Sequence, residues 1–458
     1  MIQTKLKYAL LALLTACTLK AAAQKPNIVL IVSDDQGYAD LGCFGGKQIK
    51  TPNLDRIARE GVRATSFYVT CPACTPSRSG LLTGRYPHRN GLYDMVRNDR
   101  INHGYLYTWE EYLVSPEMTL GLDPREITLG DVLKGAGYRN AVIGKWDMGQ
   151  AKRYLPLQRG FHYFYGHGNN GIDYYTHERY GIHSMFRNNE RTKADQGMYA
   201  TDLFRREALK FVRDNHKNPF FLYLPFNAPH GASNLNKDYF QVPEKWLKLY
   251  PDLDPKDRRT IYMAMVTCMD DAIGELLDTL EELQIAKNTL VIFFADNGGS
   301  GVADNLPLRG KKATFLEGGV RVPFIARWPG KLPAGAVCDE FITALGLFPT
   351  FCDAAGITPP ADIKLDGYNL LPILSGKAKS PRTEMFWMRR GDKAVRVGNY
   401  KWVDSVRYKG LYDLSVDISE KNDLSAEKPE VLAQLKNRFD AWIKEMEASE
   451  PRGPFRDY

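Results

Sequence analysis

The feature that most limits the fold is a set of short, nearly unbroken apolar runs rich in β-branched and aromatic residues: NIVLIV at 27–32, FFLYL at 220–224 and TLVIFF at 289–294. A strand with one wet face alternates apolar and polar residues. These runs do not, so both of their faces must be covered. Helical segments separate them. Thr51-Pro52 opens a helix with proline in its first turn, Gly61 closes it, and Leu54, Ile57 and Ala58 share a face. Residues 261–283 read as a long helix, and 140–143 as one more strand. This alternation predicts an α/β fold with a large mixed, mostly parallel sheet flanked by helices. From 375 to 381 the chain becomes rich in Gly, Ser, Lys and Pro. Short strands are expected after it at 384–388, 394–397, 400–404 and 410–413. A last helix carries Val431, Leu435, Phe439, Trp442 and Met446 at helical spacing. The chain therefore divides into a large domain over 25–380 and a small C-terminal antiparallel sheet plus helix over 381–458.

Residues 1–24 read as a signal peptide. Lys5 and Lys7 precede an apolar stretch at 8–16 that is too short to span a bilayer. Two exits stay open: cleavage after Ala21-Ala22-Ala23, which is preferred, or a lipobox at Leu14-Thr15-Ala16-Cys17 that would lipidate Cys17. Removing the segment takes three lysines and no acid from a net charge of +7. The remaining balance is mild, and no basic run is long enough for nucleic-acid binding. Beyond Cys17, six cysteines follow at irregular spacing: Cys43, Cys71, Cys74, Cys268, Cys338 and Cys352. A large exported chain needs no disulfide framework, and spacing cannot pair them.

In open parallel sheets, ligands bind beyond the carboxyl ends of the strands. Four expected strands deliver polar residues there. Ser33-Asp34-Asp35 follows the first, Gly144-Lys145-Trp146-Asp147 the second, Asn227-Ala228-Pro229-His230 the third and Asp296-Asn297 the fourth. Asp34, Asp35, Asp296 and Asn297 offer only oxygen, which suits a hard cation such as Ca²⁺ or Mg²⁺ rather than zinc. Either pair alone would more simply cap a helix or make a turn. Two pairs on two strand ends favour the metal.

The segment Cys74-Thr75-Pro76-Ser77-Arg78 leads into Ser79-Gly80-Leu81-Leu82-Thr83-Gly84-Arg85. Pro76 suits the first turn of a helix ending at Gly84. Cys74 is then expected just outside the helix N-terminus, where free N–H groups favour an anion, with Arg78 one turn on and pointing back. Cys71-Pro72-Ala73-Cys74 also has redox spacing, but no small thioredoxin-like unit surrounds it and no second such pair suggests a zinc ribbon.

At these residues the chain resembles the formylglycine-dependent sulfatases, whose fold is alkaline phosphatase-like. CTPSRSGLLTGR is similar to the family signature. SDDQG at 33–37, TPNLDRIAREG at 51–61, ADNG at 295–298, EGGVRVP at 317–323 and LYDL at 411–414 extend the likeness along the chain. The resemblance implies that a maturase oxidises Cys74 to formylglycine. It implies a cation, calcium before magnesium, on Asp34, Asp35, modified Cys74, Asp296 and Asn297. It places Arg78, Lys145, His230 and Lys312 around the sulfate, with Lys311 the adjoining alternative. His230 would protonate the leaving oxygen. One residue departs from the pattern. The family commonly has histidine where this chain has Asp147, expected as a replacement base, a partner of a substrate hydroxyl, or a salt-bridge partner of Lys145.

Residues 171–178 (GIDYYTHE) are similar to a stretch in sulfatases acting on the 4-sulfate of N-acetylgalactosamine, which makes Asp173 and His177 candidate sugar ligands. The expected substrate is a sulfated galactose or N-acetylgalactosamine polymer, such as chondroitin, dermatan or carrageenan. The implied setting is the periplasm, or the outer membrane through a lipid on Cys17, of a Gram-negative bacterium. The alternative is a phosphonate monoester or phosphodiester hydrolase on the same scaffold.

Overall fold

The computed structural model describes residues 25–97 and 104–449. The signal peptide and lipobox readings fall on residues outside that range. Among the described residues no helix is long and apolar enough to cross a membrane.

The strands, in chain order, are β1 Asn27–Ser33, β2 Val62–Tyr68, β3 Arg139–Lys145, β4 Tyr163–His167, β5 Glu178–Arg179, β6 Ile182–His183, β7 Met185–Arg187, β8 Glu190–Arg191, β9 Phe220–Pro225, β10 Thr289–Ala295, β11 Arg321–Arg327, β12 Ala336–Cys338 and β13 Ile342–Thr343. Apart from the β5–β6 hairpin they form one sheet in the order β12-β2-β11-β10-β1-β9-β3-β4-β7-β8, with β13 also on β2. The central run β10-β1-β9-β3-β4 is parallel, and β11 and β7 introduce antiparallel steps. The mixed, mostly parallel sheet is as expected. The sequence reading did not include β2, β4 or β11. In β11, Pro323 sits at a bulge between Val322 and Phe324, and a proline argues against a central strand when only the sequence is read.

β1 shows why the apolar runs are unbroken. Val29 and Ile31 pack into one core, with the helices Pro52–Arg59, Ala200–Asn215 and Arg258–Glu282. Ile28, Leu30 and Val32 pack into the opposite core, with the helices Cys74–Thr83 and Leu347–Ala355. Each such side chain, fully buried, stabilises the fold by about 1.5–3 kcal/mol.

The C-terminal sheet is antiparallel, in the order β14 (Glu384–Arg389), β15 (Asp392–Val397), β16 (Tyr400–Asp404), β17 (Lys409–Asp413). The helix Pro429–Ala448 covers it, burying Leu435, Phe439, Trp442 and Met446 in a third core with Trp387 and Trp402. Trp387 Nε1 donates to the Val69 carbonyl at 2.8 Å, which ties this sheet to the loop before Cys74. All six described cysteines are free thiols.

Candidate active site

The four strands whose ends carry polar residues are neighbours: β10, β1, β9, β3. The register is flush, with Ser33 beside Ala295 and Val32 beside Pro225. Asp34, Asp35, Asp296, Asn297, Lys145 and the loop to His230 therefore leave the sheet at one edge. β2 joins them. It is antiparallel to β11, which is antiparallel to β10, so β2 also ends at that edge and delivers Cys74.

Cys74 is the first residue of its helix, with Ala73 as N-cap, one position inside the expected start. Ligand atoms of Asp34, Asp35, Cys74 and Asp296 all lie within 4.8 Å of one another, and all four residues are buried. Cys74 Sγ is 3.4 Å from Asp34 Oδ1 and 3.4 Å from Lys312 Nζ. Burial, then the Asp34 carboxylate, push the Cys74 thiol well up. Asp35 is held in the left-handed region at φ 63°, a strained conformation that aims its carboxylate into the cluster.

Lys312 is brought in by backbone contact. Gly298 N–H donates to the Gly319 carbonyl and Lys312 N–H to the Gly299 carbonyl. A Cβ on Gly298 would sit 1.8 Å from the Gly318 oxygen, so the ADNG and EGG turns pack only because both are bare. Lys312 Nζ then lies 2.8 Å from Asp35, while Lys311 is exposed. Arg78 does not point at Cys74 as expected. Its Nη2 and Nε donate to Asp296 Oδ2 at 2.7 and 3.0 Å, and Nη1 donates to the Lys145 carbonyl. Lys145 Nζ is 2.6 Å from Asp34 Oδ2. His230 follows a cis Ala228–Pro229 bond, and its Nδ1 donates to the Gly231 carbonyl at 2.7 Å. A carbonyl only accepts, so Nδ1 carries the proton and Nε2, 3.7 Å from Asp35 Oδ2, is left for a ligand. Burial and the Lys312 ammonium push His230 down to about 3, and burial is outweighed at Asp35 by Lys312 and His230, which hold it at about 2.

Asp147 is fully buried with φ 58°. Its Oδ1 accepts from Thr75 Oγ1 at 3.0 Å and from Asn170 Nδ2. Its Oδ2 has no hydrogen-bond partner and stands 3.7 Å from Lys145 Nζ. The salt bridge is thus a loose one. Burial pushes this carboxyl up against the pull of Lys145 and Arg78. Asn170 and Thr75 were not singled out from sequence, because a lone amide or hydroxyl carries no pattern.

Asp173 and His177, expected as sugar ligands, hydrogen-bond to neighbouring protein groups. Asp173 accepts four hydrogen bonds, from the Tyr175 and Thr176 backbone and from Asn234 and Gln241 side chains. His177 Nε2 bonds the Met198 carbonyl. Both side chains are buried, and both Asp173 oxygens and His177 Nε2 are committed to holding the 171–178 loop and its neighbours.

The donor set fits a hard cation. Three carboxylates crowd one another, and Asn297 Oδ1 is buried with no protein partner beside them. Four carboxylates (Asp34, Asp35, Asp147, Asp296) face three cations (Arg78, Lys145, Lys312), so the pocket is one charge short of neutral. A divalent ion would reverse that sign and make it receptive to an anion.

The family model described as Sulfatase matches residues 26–357. The chain belongs to the sulfatase family. It is a sulfuric ester hydrolase of the alkaline phosphatase superfamily, and its substrates are sulfate esters of carbohydrates. A second family model, "N-sulphoglucosamine sulphohydrolase, C-terminal", matches residues 311–445 of this sulfatase. The sulfatase is 35% identical over 418 residues to the N-acetylgalactosamine-6-sulfatase of Canis lupus familiaris, covering 86% of this chain and 74% of the relative. It is 32% identical to arylsulfatase A of Homo sapiens, covering 91% and 82%. The crystal structure of Ps i-CgsB in complex with k-i-k-neocarrahexaose superposes with a TM-score of 0.82 at 31% identity, covering 93% and 94%. A phosphonate monoester hydrolase from Silicibacter pomeroyi, at 20% identity and TM-score 0.63, shares the fold over 93% and 96%. A likeness of fold alone gives the phosphoryl-transfer reading no support.

Proposed function

We propose that Cys74 is converted to formylglycine by a maturase, that Asp34, Asp35, Asp296, Asn297 and the oxygen at position 74 hold a calcium ion, and that the site desulfates a galactose or N-acetylgalactosamine residue of a glycan. The observation that carries this reading is the position of Cys74, at a helix start inside a buried ring of carboxylates and within 3.4 Å of Lys312 Nζ. The cation would supply Lewis-acid charge beside the sulfate. Hydrated, the aldehyde would supply two hydroxyls, one to attack sulfur and one whose deprotonation lets the sulfate leave.

The chain's own groups do the rest. Lys312 faces the nucleophile and the cleft mouth, so its ammonium meets the sulfuryl oxygens as charge grows on them. Lys145 and Arg78 hold Asp34 and Asp296 in place as ligands. His230 Nε2 takes up a proton from solvent when the sulfate ester binds and passes it to the leaving oxygen. A bound sulfate ester beside it raises the imidazole's affinity for that proton. Asp147 Oδ2, unpaired and buried, is the candidate base for the second hydroxyl.

The 4-sulfate expectation rested on residues 171–178. With the Asp173 carboxylate and His177 Nε2 bonded within the protein, the relatives named N-acetylgalactosamine-6-sulfatase favour C6 of the same sugar. The lysine-flanked apolar start supports export, to the periplasm or as an outer-membrane lipoprotein. A mature chain starting at Gln24, or a lipid on Cys17, read by intact mass, separates the two.

The test is sulfate release by the maturase-coexpressed protein from N-acetylgalactosamine oligosaccharides sulfated at C6 or at C4. Release from the 6-sulfated sugar is expected, with an aldehyde mass at position 74. Cys74→Ala should lose at least about four orders of magnitude in turnover. Full turnover by protein that carries only a thiol at position 74 would sink the mechanism. Release from the 4-sulfated sugar alone would restore that position.

A further inference from the structure

The fold treats the two oxygens of Asp147 differently. Oδ1 accepts from Thr75 Oγ1 at 3.0 Å and from Asn170 Nδ2. The same Asn170 Nδ2 also donates to Thr75 Oγ1 at 3.2 Å. Carboxylate, hydroxyl and amide thus close a triangle of hydrogen bonds. Both groups that face the Asn170 amide accept there, so its nitrogen and not its carbonyl is turned toward them. Oδ2 lies outside the triangle, without a hydrogen-bond partner and 3.7 Å from Lys145 Nζ. One oxygen is anchored and the other is kept open. Thr75 and Asp147 are fully buried and Asn170 nearly so, so bulk water does not compete for these donors. Each corner of the triangle comes from a different part of the chain. Thr75 follows the nucleophile position in the helix Cys74–Thr83. Asp147 lies two residues past the end of β3, at φ 58°, a left-handed backbone that fixes how its carboxyl leaves the chain. Asn170 lies on the loop after β4. The next residue on that loop, Gly171, packs against His230. A Cβ there would lie 3.2 Å from His230 Cε1 and Nδ1. One short loop therefore touches both the acid and the base of the reaction.

We propose that Thr75 and Asn170 are positioning residues for the second half of the reaction, holding Asp147 so that Oδ2 alone takes the proton whose loss expels sulfate. This rests on Asp147 as the base in the reading above, and adds what makes a carboxylate serve there. After sulfuryl transfer, one carbon at position 74 carries a sulfate ester and a free hydroxyl. Asp147 Oδ2 takes the hydroxyl proton, and the O–H electron pair becomes the second bond of the carbonyl. The carbon–oxygen bond to sulfate breaks, and sulfate leaves with that bond's pair. Asp147 then returns the proton to solvent. Burial pushes this carboxyl up and Asp296 adds to it, while Lys145, Arg78 and the Thr75 hydrogen bond act against them. The brace thus helps to keep the carboxylate ionised and able to accept.

The experiment mixes maturase-coexpressed protein, in excess, with an aryl sulfate or a sulfated N-acetylgalactosamine oligosaccharide that the wild type turns over. Alcohol release and sulfate release are followed separately through a single turnover. Thr75→Val and Asn170→Leu, each with the aldehyde mass confirmed at position 74, are expected to slow sulfate release about fivefold and leave alcohol release unchanged. Thr75→Ser is expected to restore the wild-type rate. In an Asp147→Asn background neither substitution should slow sulfate release further. Unchanged sulfate release in both variants, equal slowing of the two steps, or losses that multiply with that of Asp147→Asn would overturn the brace alone. Sulfate release at the wild-type rate in Asp147→Asn would overturn the base reading and the brace together. A second readout needs no turnover. In protein that keeps the Cys74 thiol, the Tm shifts of Asp147→Ala and Asn170→Ala should sum to more than the shift of the double variant, because both remove the same bond. Shifts that simply add would overturn the brace.

Discussion

Two buried charge clusters meet the 309–318 loop, one through Lys312 and the other through Glu317, and they are built on different principles. The first holds Asp34, Asp35, Asp147 and Asp296 against Arg78, Lys145 and Lys312, and leaves polar atoms without partners: Asp147 Oδ2, Asn297 Oδ1, Asn170 Oδ1, His167 Nε2 and both side-chain atoms of Asn227. The second joins the main sheet to the C-terminal one. Glu317 Oε1 accepts from Lys401 at 2.8 Å, while Oε2 accepts from Tyr68 at 2.5 Å and Arg321 at 3.3 Å. Lys401 also lies 3.1 Å from Glu420, whose other oxygen accepts from the Glu317 N–H. Here the charges answer one another inside the protein. Burial of charge is common to both clusters. Open valence concentrates at the first, whereas the one such atom of the second, Glu420 Oε1, faces the Lys401 ammonium at 3.1 Å; an unpaired buried polar atom is costly unless a ligand, ion or water completes it.

The largest effect is expected from removing one cation from the closed cluster. Lys401→Met leaves Glu317 and Glu420 facing each other in the dark, and should cost about 3–5 kcal/mol of stability in denaturant titrations. The turnover of the protein that remains folded should change little. If activity falls while stability holds, the second cluster is part of the site. Metal should act on the first cluster only. Calcium returned to chelator-stripped protein at a hundredfold over its Kd should add about 2.7 kcal/mol, seen as a rise in Tm. Lys401→Met should keep that rise and Asp296→Asn should lose it.

Acid should separate the clusters more finely. Burial, with Glu317 adding to it, pushes Glu420 up to about 7 from an ordinary 4.5. The folded chain therefore holds the extra proton. Glu420's contribution is whole below 4.5 and is lost as pH rises through 7. Glu317 runs the other way: burial is outweighed by Lys401 and Arg321, which hold it at about 2, so its contribution is present above 4.5 and fades toward pH 2. Between pH 5 and 8 the wild type should lose about 2–3 kcal/mol relative to Glu420→Gln, measured as parallel melting curves. Flat curves for both would remove the assignment. The smallest effect is expected at Asp147→Asn, where the amide keeps an acceptor for Thr75 and Asn170 and relieves a buried carboxyl. Tm should hold or rise, with kcat down about tenfold. A thousandfold loss would make Asp147 the indispensable base, and unchanged turnover would remove that role.

The four strand ends were legible in the sequence because each is local. An unbroken apolar run declares a strand buried on both faces, and the next one to six residues must lie at its carboxyl end. That logic named Asp34, Asp35, Lys145, His230, Asp296 and Asn297. The C-terminal strands and helix were readable for the same reason, from period alone. What the sequence could not order was the sheet: β11 hides behind Pro323, and the two antiparallel steps it makes are what turn β2, and with it Cys74, toward the same edge.

The fate of individual side chains was decided later still. Asp173 and His177 carry functional residue types, yet their hydrogen bonds go to Asn234, Gln241 and Met198. Arg78 braces Asp296 instead of reaching for the nucleophile. Glu317, Lys401 and Glu420 meet across 84 and 103 residues of chain. Local pattern determined which chemistry this chain carries to the sheet edge, because periodicity acts over a few residues. Only tertiary structure decided which of those polar atoms are spent on the fold and which stay open for a ligand, because that depends on partners brought together by closing long loops around a packed core.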